Sequence, residues 1–293
     1  MDFLPRLKQP ERLILDGATG TELTRRGVDT GLPLWSANAL LTDEGVRTLQ
    51  QIHTDYLAAG AEILTTNTFR THTRALAPSG NAHRAKELTQ RAAQIARAAI
   101  ADAPNDTPRF VAGSISTLED CYRPDLVPSD DECHSEHSER VQNLNESGID
   151  LFLLETFNCI REALIVARLA VATGNPVIVS FTCNPGGTIL SGETLNEAAH
   201  QLLPLGVVAL GVNCSSTPTL GAPLSELHTT CGPDFPLIAY GNIGYADDTV
   251  GWINTDAEAP PVYCQHSSGW PVQIVGGCCG TTPAHIAALK ASL

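Results

Sequence analysis

Eight short apolar runs, several rich in β-branched residues, alternate along this chain with stretches able to form helices. That alternation constrains the fold more than any other feature. The runs lie at Arg12–Leu15, Glu62–Thr66, Phe110–Ser114, Leu151–Glu155, Val177–Thr182, Val207–Asn213, Leu237–Tyr240 and Gln273–Gly276. Several are continuously apolar rather than alternating, as parallel strands covered on both faces are. Helical patterns fall between them at Thr42–Ala59, Ala82–Ala101, Cys133–Ser147, Ile160–Ala172, Leu195–Leu203 and Thr282–Ser292. Thr42 is placed to cap the first of these and Gly60 lies just past its end. Strands and helices alternating this often predict an α/β fold, a (β/α)8 TIM barrel. A doubly wound open sheet is the alternative, but no Gly-x-Gly-x-x-Gly turn follows the first strand. The 293 residues suit one barrel. With no visible domain boundary, residues 1–293 read as a single domain. The segment Tyr245–Gly269, rich in Gly, Pro and Asp, is expected to be a long functional or mobile loop.

Charge narrows the partners. Thirty-two acidic residues against 18 basic ones give a net charge of −14. Such a field repels phosphate backbones and mildly favours a cationic ligand, so nucleic acid is not an expected partner. The N-terminus has no apolar run suited to a signal peptide. No stretch approaches the ~18 apolar residues needed to span a membrane. A cytoplasmic protein without membrane contact is the expectation.

In a barrel, chemistry sits where strands end. The predicted ends collect Asp16, Thr66-Asn67-Thr68, Ser114, Glu155-Thr156, Asn213-Cys214, Tyr240-Gly241-Asn242 and Gly276-Gly277-Cys278-Cys279. Nine cysteines cannot all pair within one chain, and adjacent Cys278 and Cys279 would form a strained ring. Cys214, Cys278 and Cys279 could instead meet at one point. Three thiolates with an open fourth position are a catalytic zinc pattern; the alternative is three buried thiols. Gly276, Gly277 and Gly280 are expected to give the freedom for both adjacent cysteines to ligate. Cys121, Cys133, Cys159, Cys183, Cys231 and Cys264 read as packing residues. Cys133-His134-Ser135-Glu136-His137 reads as the solvated start of a helix. Asp16 and Glu155 could hold an ammonium group, and the glycine-rich Leu15–Leu23 turn could offer N–H groups to a carboxylate. The alternatives are a helix N-cap for Asp16 and a buried, hydrogen-bonded carboxylate for Glu155.

LDGATGTEL, TTNTF, LLETF, GVNC and GGCCGTTPAHI, in this order, resemble the homocysteine S-methyltransferase family. That family includes the S-methylmethionine and betaine enzymes and the homocysteine module of cobalamin-dependent methionine synthase. The pairing of GVNC with GGCC, 64 residues from Cys214 to Cys278, is the most specific part. The resemblance implies a (β/α)8 barrel with Zn2+ held by Cys214, Cys278 and Cys279 and a homocysteine thiolate in the fourth position. It implies that Asp16 and Glu155 surround the homocysteine amino group while Gly17 and Ala18 meet its carboxylate. Thr66 and Asn213 match polar positions behind these, Trp35 an aromatic near the methyl donor, and Asn242 the asparagine after strand seven. No protein side chain beyond the zinc-activated substrate thiolate is implied to be catalytic.

Two departures bear on the donor. The family often reads Tyr-Pro-Asn-Ser/Ala-Gly after strand seven, where this chain reads Tyr240-Gly241-Asn242-Ile243-Gly244. Arg70 replaces a tyrosine of betaine-type enzymes, and an inward-facing charge there would disfavour a betaine. The reading is zinc-dependent methyl transfer to homocysteine, forming methionine, from a small donor such as S-methylmethionine. The alternatives are a subunit that accepts methyl from a separate corrinoid protein, and a betaine-type enzyme.

Overall fold

In the computed structural model, which describes residues 2–104, 107–247, 251–253 and 259–293, the apolar runs form a ring of parallel strands. In chain order the strands are β1 (Leu13–Ile14), β2 (Ile63–Thr65), β3 (Phe110–Ile115), β4 (Leu151–Phe157), β5 (Val177–Phe181), β6 (Ala209–Ser216) and β7 (Leu237–Asn242). A small hairpin follows, β8 (Tyr245–Asp247) with β9 (Gly251–Ile253), and then the last ring strand, β10 (Ile274–Gly277). The sheet order is β1-β10-β7-β6-β5-β4-β3-β2. A parallel bridge between Leu15 and Ile63 closes it, with Glu62 N–H on Ile14 O at 2.8 Å and Asp16 N–H on Ile63 O at 3.0 Å. The architecture is the expected (β/α)8 barrel.

Each ring strand leads into a helix. The eight are Asp43–Ala58, Ala85–Asp102, Asp130–Asn145, Ile160–Val171, Leu195–Leu202, Gly221–Cys231, Pro260–Ser268 and Pro283–Ser292. Thr42 caps the first, its hydroxyl accepting from Gly45 N–H at 3.0 Å. Two expectations need correction. Tyr245–Gly269 is not a structureless loop: it carries the β8–β9 hairpin and the seventh barrel helix, while residues 248–250 and 254–258 lie outside the described residues. The cause is Tyr263, fully buried, whose hydroxyl accepts from Gly241 N–H at 3.1 Å and donates to Gly276 O at 2.5 Å, tying β7 to β10. The helix read at Cys133 begins three residues earlier, at Asp130, because Ser129 and Glu132 form a capping box. Cys133 and His137, one turn apart, therefore face inward and are fully buried. His137 Nε2 lies 2.9 Å from Glu162 Oε1, so Cys133 and His137 belong to the core, while His134 and Ser135 are exposed as expected of a solvated face.

Strand alternation divides the apolar residues into two shells. Leu13, Leu15, Ile63, Phe110, Ala112, Leu151, Leu153, Ile178, Ala209, Ile238 and Ile274 fill the barrel. Their neighbours Ile14, Leu64, Val111, Phe152, Leu154, Val177, Val179, Leu210, Val212, Ala239 and Val275 face the helices. The short helix Phe3–Leu7 plugs the N-terminal mouth, with Phe3 edge-on to Phe110 at 5.3 Å and Arg6 paired to Glu62 at 2.9 Å. The opposite, C-terminal mouth is where barrel folds carry their sites. Among the described residues no helix is long and apolar enough to cross a membrane.

Candidate metal centre and amino-acid pocket

Followed toward the C-terminal mouth, the inward-facing residues turn polar. Ala112 gives way to Ser114, Leu153 to Glu155, Ile178 to Ser180 and Ile238 to Tyr240. Two strands then break register. β4 shifts between Leu154 and Phe157, and β6 between Asn213 and Ser216. Thr156 (φ 60°) and Cys214 (φ 51°) sit at these breaks in the left-handed region. That conformation costs a non-glycine residue about 1 kcal/mol or more, so the surroundings must enforce it. Asn213 does so for Thr156: its Oδ1 accepts from Thr156 N–H at 2.9 Å and its Nδ2 donates to Thr156 Oγ1 at 2.7 Å. The bulges aim Glu155 and Cys214 into the mouth, a common use of bulges beside sites. Asn213→Ala leaves one buried donor, Thr156 N–H, and one buried acceptor, Thr156 Oγ1, without their partner. It should cost about 3 kcal/mol, roughly 6 °C in thermal midpoint, and weaken amino-acid binding through Glu155. An unchanged midpoint by calorimetry would contradict the clamp.

The Sγ atoms of Cys214, Cys278 and Cys279 lie within 4.8 Å of one another, the only such group of potential ligands among the described residues. The two adjacent cysteines are fixed by backbone: Cys278 N–H donates to Gly241 O at 2.9 Å, and Ile243 N–H to Cys279 O at 3.0 Å. Gly280, at φ 85°, makes the turn after them. Gly276 and Gly277 serve otherwise than the sequence suggested. They end β10, and a Cβ on Gly277 would come within 2.3 Å of Thr281 Oγ1, so close approach rather than turning requires them. Hydrogen bonds from the Cys278 and Cys279 thiols hold the Cys214 thiol well below the usual cysteine range. The same contacts push Cys278 and Cys279 up. Cys214 is thus the first of the three to ionise.

Two further side chains touch Cys214: the Tyr122 hydroxyl at 3.0 Å and Asn242 Nδ2 at 3.7 Å. The charge on Cys214, with burial of the hydroxyl, raises the Tyr122 phenol, which keeps its proton. Asn242 Oδ1 is buried with no hydrogen-bond partner. Three convergent sulfurs, one readily ionised, beside an uncommitted amide oxygen fit a borderline-soft divalent metal.

Next to the sulfurs stand the two carboxyls. Burial pushes Asp16 up to about 8 and Glu155 up to about 7, even though each is hydrogen-bonded. Asp16 is not a helix cap: Thr65 N–H and Thr65 Oγ1 donate to it at 2.7 and 2.8 Å. Glu155 accepts from Ser114 Oγ at 2.5 Å and from the Tyr240 hydroxyl at 3.2 Å. Thr66 acts one step back, accepting Ser114 N–H at 3.0 Å and contacting Thr68 Oγ1 at 2.7 Å. Besides burial, Glu155 disfavours ionisation of Asp16 and Cys214 disfavours ionisation of Glu155, so a cationic group between the two carboxyls would relieve both. Ala18 N–H is already engaged, donating to Thr281 Oγ1 at 3.1 Å, while a Cβ on Gly17 would strike the Tyr56 ring at 2.7 Å. Thr281 in turn donates to Cys278 O at 2.7 Å, so the Asp16 turn and the cysteine turn are coupled.

Trp35 (φ 48°) packs over Gly20 and lies edge-on to Phe69 at 5.5 Å. Arg70 reaches the exposed loop before Trp35, its Nη1 on Pro33 O at 3.4 Å. Gly241, where the family often has proline, is explained locally. It supplies the N–H that Tyr263 accepts, and a Cβ there would lie 2.6 Å from Thr217 Oγ1. Burial pushes the Cys133, Cys159 and Cys183 thiols up to about 12, 11 and 12, consistent with packing roles. Tyr122 and Thr65 are site residues that the sequence does not announce, and Ser114 and Tyr240, placed at strand ends by the sequence, gain their role as donors to Glu155. For Ser114 and Tyr240 the signal existed in strand parity; for Tyr122 there was none.

A barrel mouth that joins three convergent thiols to two buried carboxyls has the parts to hold an amino acid by its ammonium and to act on its sulfur. The homocysteine S-methyltransferase family model matches residues 13–293. A homocysteine S-methyltransferase of Escherichia coli K12 is 32% identical, covering 97% of this chain and 96% of that protein. Homocysteine S-methyltransferase YbgG of Bacillus subtilis is 30% identical over 95% of this chain and 93% of its own. The crystal structure of the homocysteine methyltransferase MmuM from Escherichia coli, in metallated form, superposes with a TM-score of 0.84 at 31% identity, covering 99% of both chains. The chain belongs to the homocysteine S-methyltransferase family and is a methyltransferase.

Proposed function

We propose that residues 1–293 act as one homocysteine-binding barrel that moves a methyl group from a small sulfonium, S-methylmethionine or a relative, to homocysteine, forming methionine. The observation that carries this reading is the adjacency of the three-sulfur group to Asp16 and Glu155. The carboxyls receive the ammonium of homocysteine, which leaves its thiol beside the sulfurs. Cys214, Cys278 and Cys279 would hold a zinc ion, whose chemistry there is to keep the homocysteine sulfur a thiolate at neutral pH. The thiolate attacks the donor methyl carbon, and the sulfonium C–S bond breaks with its electron pair leaving on a neutral thioether. No general base is needed for that displacement. Trp35, half-buried at the rim, presents a ring face suited to a cationic donor.

Arg70 extends along the rim to Pro33, so its charge gives no ground for excluding a betaine. The test is therefore a donor screen. Purified zinc-loaded protein with homocysteine should form methionine from S-methylmethionine, and more slowly from S-adenosylmethionine, dimethylsulfoniopropionate and betaine. Preference for betaine would overturn the sulfonium assignment. Silence with all four would replace it with methyl delivered by a separate corrinoid protein.

A further inference from the structure

The site poses a problem of selectivity. A methyl donor aimed at a substrate thiolate also meets the protein's own sulfurs. If Cys214 Sγ attacked instead, an S–CH3 bond would form on the protein and the donor C–S bond would break, its pair leaving on a neutral thioether. The product, S-methyl-Cys214, is uncharged and a poor metal ligand. The enzyme would inactivate itself at every such error.

We infer that Tyr122 is a positioning residue that keeps the methyl group off Cys214: its phenol O–H, held on Cys214 Sγ, makes that sulfur a poorer nucleophile than the substrate thiolate. The inference rests on the proposed methyl transfer at this site. Its basis is geometric. Tyr122 lies on the loop between β3 and the helix Asp130–Asn145, and as a residue it is 45% exposed, yet its hydroxyl sits 3.0 Å from a sulfur whose residue is only 7% exposed. The loop is built to hold it there. Asp120 Oδ1 accepts Tyr122 N–H at 2.9 Å, Asp120 O accepts Arg123 N–H at 2.9 Å, and Asn158, just after β4, donates to Asp120 O at 3.3 Å. Against a thiolate only the phenol can donate. Asn242 Nδ2, at 3.7 Å, adds a second donor to the same sulfur. Both donors draw electron density from Cys214 Sγ and so oppose its attack on carbon.

The removal of one charge-assisted hydrogen bond should speed attack by Cys214 about tenfold, the factor equal to about 1.4 kcal/mol. Tyr122→Phe deletes the O–H and keeps the ring. Zinc-loaded wild-type and Tyr122→Phe proteins, without homocysteine, would be treated with methyl iodide and the three cysteine peptides followed by mass spectrometry. Methylation of Cys214 should rise about tenfold in the variant, with Cys278 and Cys279 little changed. Equal rates at Cys214 would overturn the inference. So would a uniform rise at all three sulfurs, which would mean that the ring only shields. A parallel assay of methionine formation from S-methylmethionine and homocysteine separates the two readings: if methyl iodide gives the Cys214-selective rise and no methionine forms, Tyr122's role stands and the donor assignment fails.

Discussion

Replacing Cys214 with alanine is expected to abolish methyl transfer and metal retention together. Zinc bound by a folded thiolate site is worth about 10–16 kcal/mol, so one of three protein ligands accounts for about 4 kcal/mol, or about a thousandfold in affinity. Cys214 should be the most sensitive of the three, because β6 bends to present it. Its removal also strands Tyr122 and Asn242, both aimed at the missing sulfur. The check is metal content after dialysis against a moderate chelator, alongside methionine formation. Cys183→Ala is the control: Cys183 is buried and its thiol is pushed up by burial and by Glu226, with no contribution from the three-sulfur group, so that variant should keep its metal and lose only about 1 kcal/mol of stability. Stoichiometric zinc and full activity in Cys214→Ala would remove the metal assignment.

Why Cys214 was legible and Tyr122 was not follows from where each sits. The ring strands announce themselves because continuous apolar runs such as Leu151–Leu154 have two faces to bury, one in the barrel and one under the helices. The cysteines stand at strand ends, so a barrel topology alone brings them to one mouth. Strand parity alone would have turned Cys214 outward, since Asn213 follows Gly211 on the inner face. The left-handed kink that re-aims it leaves no mark on the sequence. The helices Gly221–Cys231 and Pro260–Ser268 leave little mark on the sequence because each opens near proline and buries few apolar side chains, the second chiefly Tyr263. Cys133 and His137 were misplaced because an acidic Asp130-Asp131-Glu132 run looks like a surface loop until Ser129 is recognised as its cap. Tyr122 belongs to a loop whose shape depends on Asp120 and Asn158, contacts between segments that no periodicity encodes.

Glu155→Gln and Asp16→Asn should each raise the homocysteine KM about a hundredfold while changing kcat little. Each removes a charge that a buried ammonium needs, and the reacting sulfur lies at the other end of the substrate. The same carboxyls set a pH dependence whose sign is opposite for folding and for binding. Their folded values, up at about 8 for Asp16 and about 7 for Glu155, lie above the ordinary carboxylate range. The folded protein therefore holds protons that the unfolded chain releases. The stability they contribute is fully present below about pH 4 and is lost as pH rises through about 7 to 8. Homocysteine reverses this, because its ammonium favours both carboxylates; binding should expel protons and tighten between about pH 6 and 8. Calorimetric titration in buffers of different ionisation enthalpy measures the released protons directly. 4-Mercaptobutyrate, which keeps the thiol and carboxylate but has no amino group, separates this effect from ionisation of the thiol. It should show little of the release, and Glu155→Gln should remove part of it for homocysteine. Equal proton release by the two thiols would place the ammonium elsewhere.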